Sequence, residues 1–187
     1  MLQIYQAGTV GEYTMAGAPV NASLLSGLDR PVALALDGQG HLFVATVSGT
    51  VGEYNANGTP VNAALITGLN EPWGLALDGQ GHLFVSSLLG GTVGEYTTTG
   101  AAINASLITG LLKPMRLALD GQGHLFVGEY GAEAVGEYST SGAAVNAGLI
   151  SGLRDYPTGL ALDGNGHLFV ATELHGVVGE YTTSGGP

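Results

Sequence analysis

The sequence predicts an all-β propeller of four-stranded blades, each about 42 residues long, arranged as an open or incomplete five-blade arc. Three observations predict it. The segment Val-Gly-Glu-Tyr recurs at Val10–Tyr13, Val51–Tyr54, Val93–Tyr96, Val135–Tyr138 and Val178–Tyr181. The segment Gly-His-Leu-Phe-Val recurs at Gly40–Val44, Gly81–Val85, Gly123–Val127 and Gly166–Val170. The glutamates of the first set, Glu12, Glu53, Glu95, Glu137 and Glu180, step by 41, 42, 42 and 43 residues, the length that four short strands and their turns require.

Each unit divides into four strands. Strand A is apolar, as in Leu75-Ala76-Leu77, and ends at Asp78-Gly79-Gln80-Gly81. There the Asp accepts N–H groups of the turn and Gly supplies positive φ. Strand B, His82–Val85, is rich in residues that fit a pleated surface. Strand C spans Thr92–Tyr96, and strand D spans Ile103–Ile108 before a Thr-Gly-Leu turn. Pro31, Pro72, Pro114 and Pro157 each restart strand A, at a position where the missing N–H costs no ladder bond. No unit carries a long apolar pattern at helical spacing, which excludes α/β alternatives. A β-solenoid is the rival for any strand repeat, but its coils are shorter and need no three hairpin turns per unit.

Counting strands leaves the ring unfinished. Leu2–Leu28 supplies strands B, C and D; complete units start at Pro31, Pro72 and Pro114; the segment from Pro157 supplies A, B and C. The total of eighteen falls between the sixteen of four closed blades and the twenty of five. One propeller domain is expected over 1–187, with blade segments 1–30, 31–71, 72–113, 114–156 and 157–187. Unpaired strands at both ends invite self-association.

Composition bounds the partners. Hydrophobic residues make up 45% and charged residues 10%, an ordered rather than disordered balance. A net charge of −11 with only four Lys and Arg repels phosphate backbones and anionic membrane surfaces alike. With no Cys, disulfides and thiolate metal sites are excluded. No apolar run suffices for a membrane span, so no membrane insertion is expected. Met1–Gly8 does not read as a signal peptide.

The pattern Pro-x-Gly-Leu-Ala-Leu-Asp-Gly-x-Gly-His-Leu-Phe-Val, followed by Val-Gly-Glu-Tyr, resembles NHL-type propeller repeats. It is especially similar to those of exported bacterial proteins with a PEP-CTERM sorting tail. The resemblance covers nearly the whole chain. It implies that the chain is part of a larger propeller protein, extracellular or held at the cell surface, although neither leader nor sorting tail stands in this sequence.

Comparing the units with one another isolates the chemistry. The A–B and C–D turns barely change, whereas the D–A and B–C connections differ at almost every position. In an up-and-down blade these two variable connections share a face. All four basic residues, Arg30, Lys113, Arg116 and Arg154, lie in or just after a D–A connection, as do Asp29, Glu71 and Asp155. Trp73 opens strand A in line with Val32, Met115 and Thr158, and Arg116 takes a place held elsewhere by Gly or Ala, aimed at the axis. The B–C connections add Glu129, Tyr130, Glu133, Glu173 and His175. The expected ligand-binding set is therefore Trp73, Arg116, Arg30, Lys113, Glu129, Tyr130, Tyr156, Glu173 and His175. Trp73 serves equally as a plug of the central channel or as a ligand platform, and the Asp29–Arg30 and Arg154–Asp155 neighbours read as solvated pairs. His41, His82, His124 and His167 recur once per blade, so they cannot converge on one metal and read as hairpin residues.

The function expected is a non-catalytic scaffold, binding a small ligand, a glycan or a protein through the variable face, with no catalytic residue, metal or cofactor assigned. One alternative is a structural extracellular repeat protein that assembles through its open blades. Another is a metal-dependent propeller enzyme. The blades are similar to those of virginiamycin B lyases, and gluconolactonase-like hydrolases share the fold. That resemblance implies a divalent metal and a catalytic His at the axial end. Glu173 and His175, two apart, would share a face there if strand B extends that far, with Glu129 nearly matching one blade earlier. There is no phosphate-cradling motif and no nucleophile elbow.

Overall fold

The computed structural model describes residues 2–5 and 8–186. The expectation that Met1–Gly8 is no signal peptide falls partly on residues outside that set. Among the described residues eighteen strands make an all-β propeller of about four blades of four strands, distributed over five antiparallel sheets. The first sheet holds β1 (Leu2–Tyr5), β2 (Thr9–Tyr13) and β3 (Pro19–Leu25). The second holds β4 (Pro31–Leu36), β5 (His41–Thr46), β6 (Thr50–Asn55) and β7 (Pro60–Ile66). The third holds β8 (Pro72–Leu77), β9 (His82–Ser87), β10 (Thr92–Thr97) and β11 (Ala102–Ile108). The fourth holds β12 (Pro114–Leu119), β13 (His124–Glu129), β14 (Ala134–Ser139) and β15 (Ala144–Ile150). The last holds β16 (Pro157–Leu162), β17 (His167–Thr172) and β18 (Val178–Thr182).

Strand A starts at Pro31, Pro72, Pro114 and Pro157 as expected, whereas strand B runs longer than its motif because pairing continues past the apolar residues: β9 reaches Ser87. In contrast, β17 stops at Thr172, so Glu173 and His175 do not lie on strand B and no pleat gives them a common face.

One rule stacks the sheets. The Phe–Val–Ile face of each sheet packs on the Leu–Val–Tyr face of the next. Val10 and Leu25 meet Leu42, Val44 and Tyr54. Phe43, Val51 and Ile66 meet Leu83, Val85 and Tyr96. Phe84, Val93 and Ile108 meet Leu125, Val127 and Tyr138. Phe126, Val135 and Ile150 meet Leu168 and Val170. Alternation along each strand puts these two sets on opposite faces. The Gly of each Val-Gly-Glu-Tyr segment serves the same packing: a Cβ on Gly52 would lie 2.9 Å from the Tyr54 ring and from the Ala63 carbonyl. The tyrosine folds back over the bare backbone.

The repeated His is a turn residue. Asp37 Oδ1 accepts the N–H of Gln39 at 2.9 Å and of His41 at 2.7 Å, and Oδ2 meets His41 Nδ1 at 2.8 Å. The same three contacts recur at Asp78–His82, Asp120–His124 and Asp163–His167. Gly40, Gly81, Gly123 and Gly166 close these turns at φ of 92–100°, where a side chain is strained.

These pairs set a pH window for stability. The hydrogen bond to the Asp carboxylate holds the rings of His41, His124 and His167 above the ordinary His value. Their contribution is complete below about 6.5 and is lost as pH rises through the folded-state pKa. At Asp37, Asp78 and Asp120 desolvation raises the carboxyl, but the turn N–H groups and the His ring outweigh it and the net shift is downward. At Asp163 the bond from His167 leads the downward shift. The Asp contribution is present above about 4 and is lost on further acidification. Thermal stability is therefore expected to peak between about pH 4 and 6.5. A melting temperature that climbs steadily to pH 8 would show that the pairs of His41, His124 and His167 do not stabilise the fold.

Candidate functional site

The D–A and B–C connections lie together because backbone bonds tie them. Arg30, Glu71, Lys113 and Arg154 adopt left-handed conformations at φ of 48–55°, uncommon for residues with a side chain. Three of them stand directly before Pro31, Pro72 and Pro114, where the right-handed helical region is disfavoured. The turn aims a carbonyl at the neighbouring connection. The N–H groups of Val47, Leu88 and Tyr130 donate to the carbonyls of Arg30, Glu71 and Lys113 at 3.2, 2.8 and 3.0 Å, and Glu173 N–H donates to the Tyr156 carbonyl at 3.1 Å. The two variable sets of connections thus form one rim.

At the axial end of this rim lies a cavity of about 570 Å³, lined by Trp73, Lys113, Arg116, Tyr130, Thr158 and Glu173 together with Leu88 and Met115. Arg116 forms part of its wall and ties the sheets together. Its Nε donates to the Thr158 carbonyl at 2.7 Å, and its Nη1 to the carbonyls of Trp73 at 3.2 Å and Val32 at 3.3 Å. Those acceptors come from three other sheets. Burial pushes the Arg116 guanidinium down from its ordinary pKa, but that value is so high that the group stays a cation. Among the described residues no carboxylate forms an ion pair with it.

Tyr130 and Tyr156 stack with ring centroids 4.0 Å apart and planes 16° apart. Lys113 Nζ lies 5.7 Å from the Tyr130 ring centre, within cation–π reach. Trp73 contributes an indole N–H that is buried and, among the described residues, has no hydrogen-bond partner.

Of the nine residues expected at the site, the structure brings Trp73, Lys113, Arg116, Tyr130 and Glu173 to the cavity, with Tyr156 stacked on Tyr130. Three lie elsewhere. Arg30 is on the surface 4.0 Å from Asp29, both side chains about 70% exposed. Glu129 is buried, accepting the Leu112 N–H at 2.7 Å, so it fastens a D–A connection. Desolvation raises its carboxyl above the ordinary value, partly offset by that bond. His175 turns its Nδ1 to Asp155 Oδ2 at 3.0 Å.

Asp155 is not a solvated partner of Arg154. Its side chain is 2% exposed. Its two oxygens accept the N–H groups of Tyr156, Leu174 and His175 at 2.7, 2.8 and 2.8 Å. Although desolvation opposes it, this bonding holds the carboxyl far below the usual range. Asp155 therefore anchors the last B–C connection. Among the described residues no group of three or more His, Asp and Glu stands together as a metal-ligand set. Leu88, Met115 and Thr158 complete the cavity wall without having stood out as ligand candidates. Thr158 and Met115 share the register of Trp73, which was the available signal for them.

No protein-family profile matches the chain, and no curated protein matches it in sequence. Solved structures do match in fold. A nidogen/laminin complex superposes with a TM-score of 0.76 at 18% identity, covering 91% of this chain and 69% of that one. A catalytically inactive virginiamycin B lyase from Staphylococcus aureus with quinupristin gives 0.72 at 16% identity, covering 98% and 66%. A streptogramin B lyase gives 0.69 at 16% identity, covering 94% and 62%. The chain spans about two-thirds of the length of these propellers. At such identities the likeness shows the β-propeller fold, which hosts both binding proteins and lyases.

Proposed function

We propose that the chain is a non-catalytic binding scaffold whose ligand site is the axial cavity on the variable loop face. The observation that carries this is convergence: two of the chain's four cations and its only tryptophan line one cavity. Cavities of this size with apolar walls and a few polar groups suit small organic ligands. The repeat pattern supports reading the chain as an NHL-type propeller, related to those of exported bacterial proteins and working outside the cell or at its surface. Because Trp73 is the sole tryptophan, its emission reports on the cavity alone. A library of small metabolites and oligosaccharides is expected to yield ligands that shift this emission and raise the melting temperature together. Ligands that raise the melting temperature while leaving Trp73 untouched would place binding elsewhere.

A second reading, assembly through open blades, is favoured by the last sheet. Val178 is 67% exposed, whereas its counterparts Val51, Val93 and Val135 are fully covered by the following sheet. This supports an open five-blade arc whose final Phe–Val face has no blade upon it. Light scattering across a concentration series should then detect self-association that Val178→Lys abolishes. A monomer at all concentrations would remove the assembly reading and leave the cavity reading intact.

A further inference from the structure

The chain as a whole carries a charge of −11, yet the wall of the axial cavity has the opposite sign. Lys113 and Arg116 face it with only Glu173 as a lining carboxylate, leaving one positive charge in excess. Neither cation has an ion-pair partner among the described residues. Concentrating unpaired cations at one concave site of an acidic protein raises the local potential for an anion.

The free donors narrow the class further. Arg116 spends Nε and Nη1 on carbonyls, so among the described residues its Nη2 edge alone remains without a partner. A guanidinium committed in this way cannot offer the two-nitrogen Nε–Nη2 fork that grips phosphate or a bidentate carboxylate. It offers one nitrogen, while Lys113 offers a mobile point charge at the rim. Charge matching points the same way: a monoanion neutralises the excess, whereas a dianion would leave a negative charge in an already acidic chain.

The remaining walls are aromatic. Trp73 stands on one side and Tyr130, stiffened by its stack with Tyr156, on another. The indole N–H of Trp73 is itself buried, so Trp73 offers the cavity ring surface. Desolvation first, then the charges of Tyr156 and Glu173 and a hydrogen bond to Tyr156, raise the Tyr130 phenol above its ordinary value, so it stays neutral and adds no charge to the wall.

Resting on the cavity reading above, we propose that the axial site binds a planar aromatic monocarboxylate, its carboxylate between Lys113 and Arg116 and its ring against Trp73 and Tyr130. The test uses the intact chain, with calorimetry for affinity and the single indole N–H resonance of Trp73 for location. The probes are 2-naphthoate, its neutral isostere 2-naphthamide, and naphthyl phosphate. Expected is that 2-naphthoate binds, shifts the Trp73 resonance, and exceeds the amide by about tenfold or more, with the phosphate weaker than the carboxylate. Lys113→Met, at an exposed position, should shrink the carboxylate–amide gap to less than about threefold while the fold persists. Equal binding of amide and carboxylate, or a preference for the phosphate, with Trp73 still shifting, would overturn the ligand class and keep the cavity as a site. Binding of none of the three, with other library compounds shifting Trp73, would do the same. Carboxylate binding that leaves Trp73 unmoved would overturn both readings.

Discussion

Arg116→Met is expected to lower stability by about 2–4 kcal/mol and to make unfolding less cooperative. A hydrogen bond from a charged donor is worth roughly 1.5–3 kcal/mol, and three such bonds radiate from one guanidinium. They do not add fully, because the half-buried carbonyls of Thr158, Trp73 and Val32 can recruit water once the side chain is gone. What water cannot replace is the span. In a repeat fold each unit touches its neighbours, so stability is close to a sum of nearest-neighbour terms. Arg116, in the fourth sheet, reaches the carbonyl of Val32 in the second, skipping the third. Removing it leaves the last two sheets joined to the rest only through blade-to-blade faces. Urea denaturation should show a lower midpoint and a shallower slope, the sign of sheets coming apart in stages. Arg116→Lys keeps the cavity's charge but reaches fewer carbonyls, so it should lose stability while retaining affinity for an anion. An unchanged midpoint and slope in Arg116→Met would mean that the contacts are ornaments of the surface.

How much of this was legible in the sequence follows from what repeats. Strand order, hairpin turns and the shared loop face depend on residues that recur in every unit, so comparing units exposes them. The turn role of the four histidines came from the same reasoning, and the Asp-to-His bonds give it a physical form. The site was legible only in part, because its residues occur once each. His175 sits in the expected connection, Glu129 ends strand β13 instead, and both face away from the cavity. In both cases backbone N–H groups of the loops need acceptors, and a nearby carboxylate supplies them: Glu129 for Leu112, Asp155 for Tyr156, Leu174 and His175. Buried amides of irregular loops must be paired, and no periodicity announces which side chain will do it. The left-handed turns at Arg30, Glu71, Lys113 and Arg154 were hidden for a similar reason. Three of them precede a proline, a context that argues locally against the conformation that the tertiary bonds impose.

Gly74→Ala is expected to cost about 2–3 kcal/mol, the scale of overpacking a rigid contact. A Cβ there would lie 2.4 Å from the Met115 carbonyl oxygen, 2.8 Å from Ser86 Oγ and 3.1 Å from Leu117 Cγ. The nearest atom is backbone of the facing strand β12, so no rotamer change relieves it. Moving β12 away would also stretch the Ser86 hydroxyl bond to that same carbonyl, now 3.0 Å. The strand conformation itself does not demand glycine, since Ala33 occupies the equivalent place in β4. The demand comes from how closely β8 and β12 approach at the axis. Two substitutions separate this cause from a general intolerance of change. Gly159→Ala, at the equivalent place in β16, meets only the Ala171 Cβ at 3.1 Å, and Gly148→Ala meets nothing within 4 Å. Both should stay within about 0.5 kcal/mol of the parent in chemical denaturation. Because Met115 lines the cavity beside Trp73, a displaced Met115 carbonyl should also alter Trp73 emission in Gly74→Ala and leave it unchanged in Gly148→Ala. A loss of stability in all three alike would trace the effect to the alanine and not to the axial contact. A loss confined to Gly74→Ala, with the emission change, would identify the β8–β12 approach as the contact that sets the shape of the site.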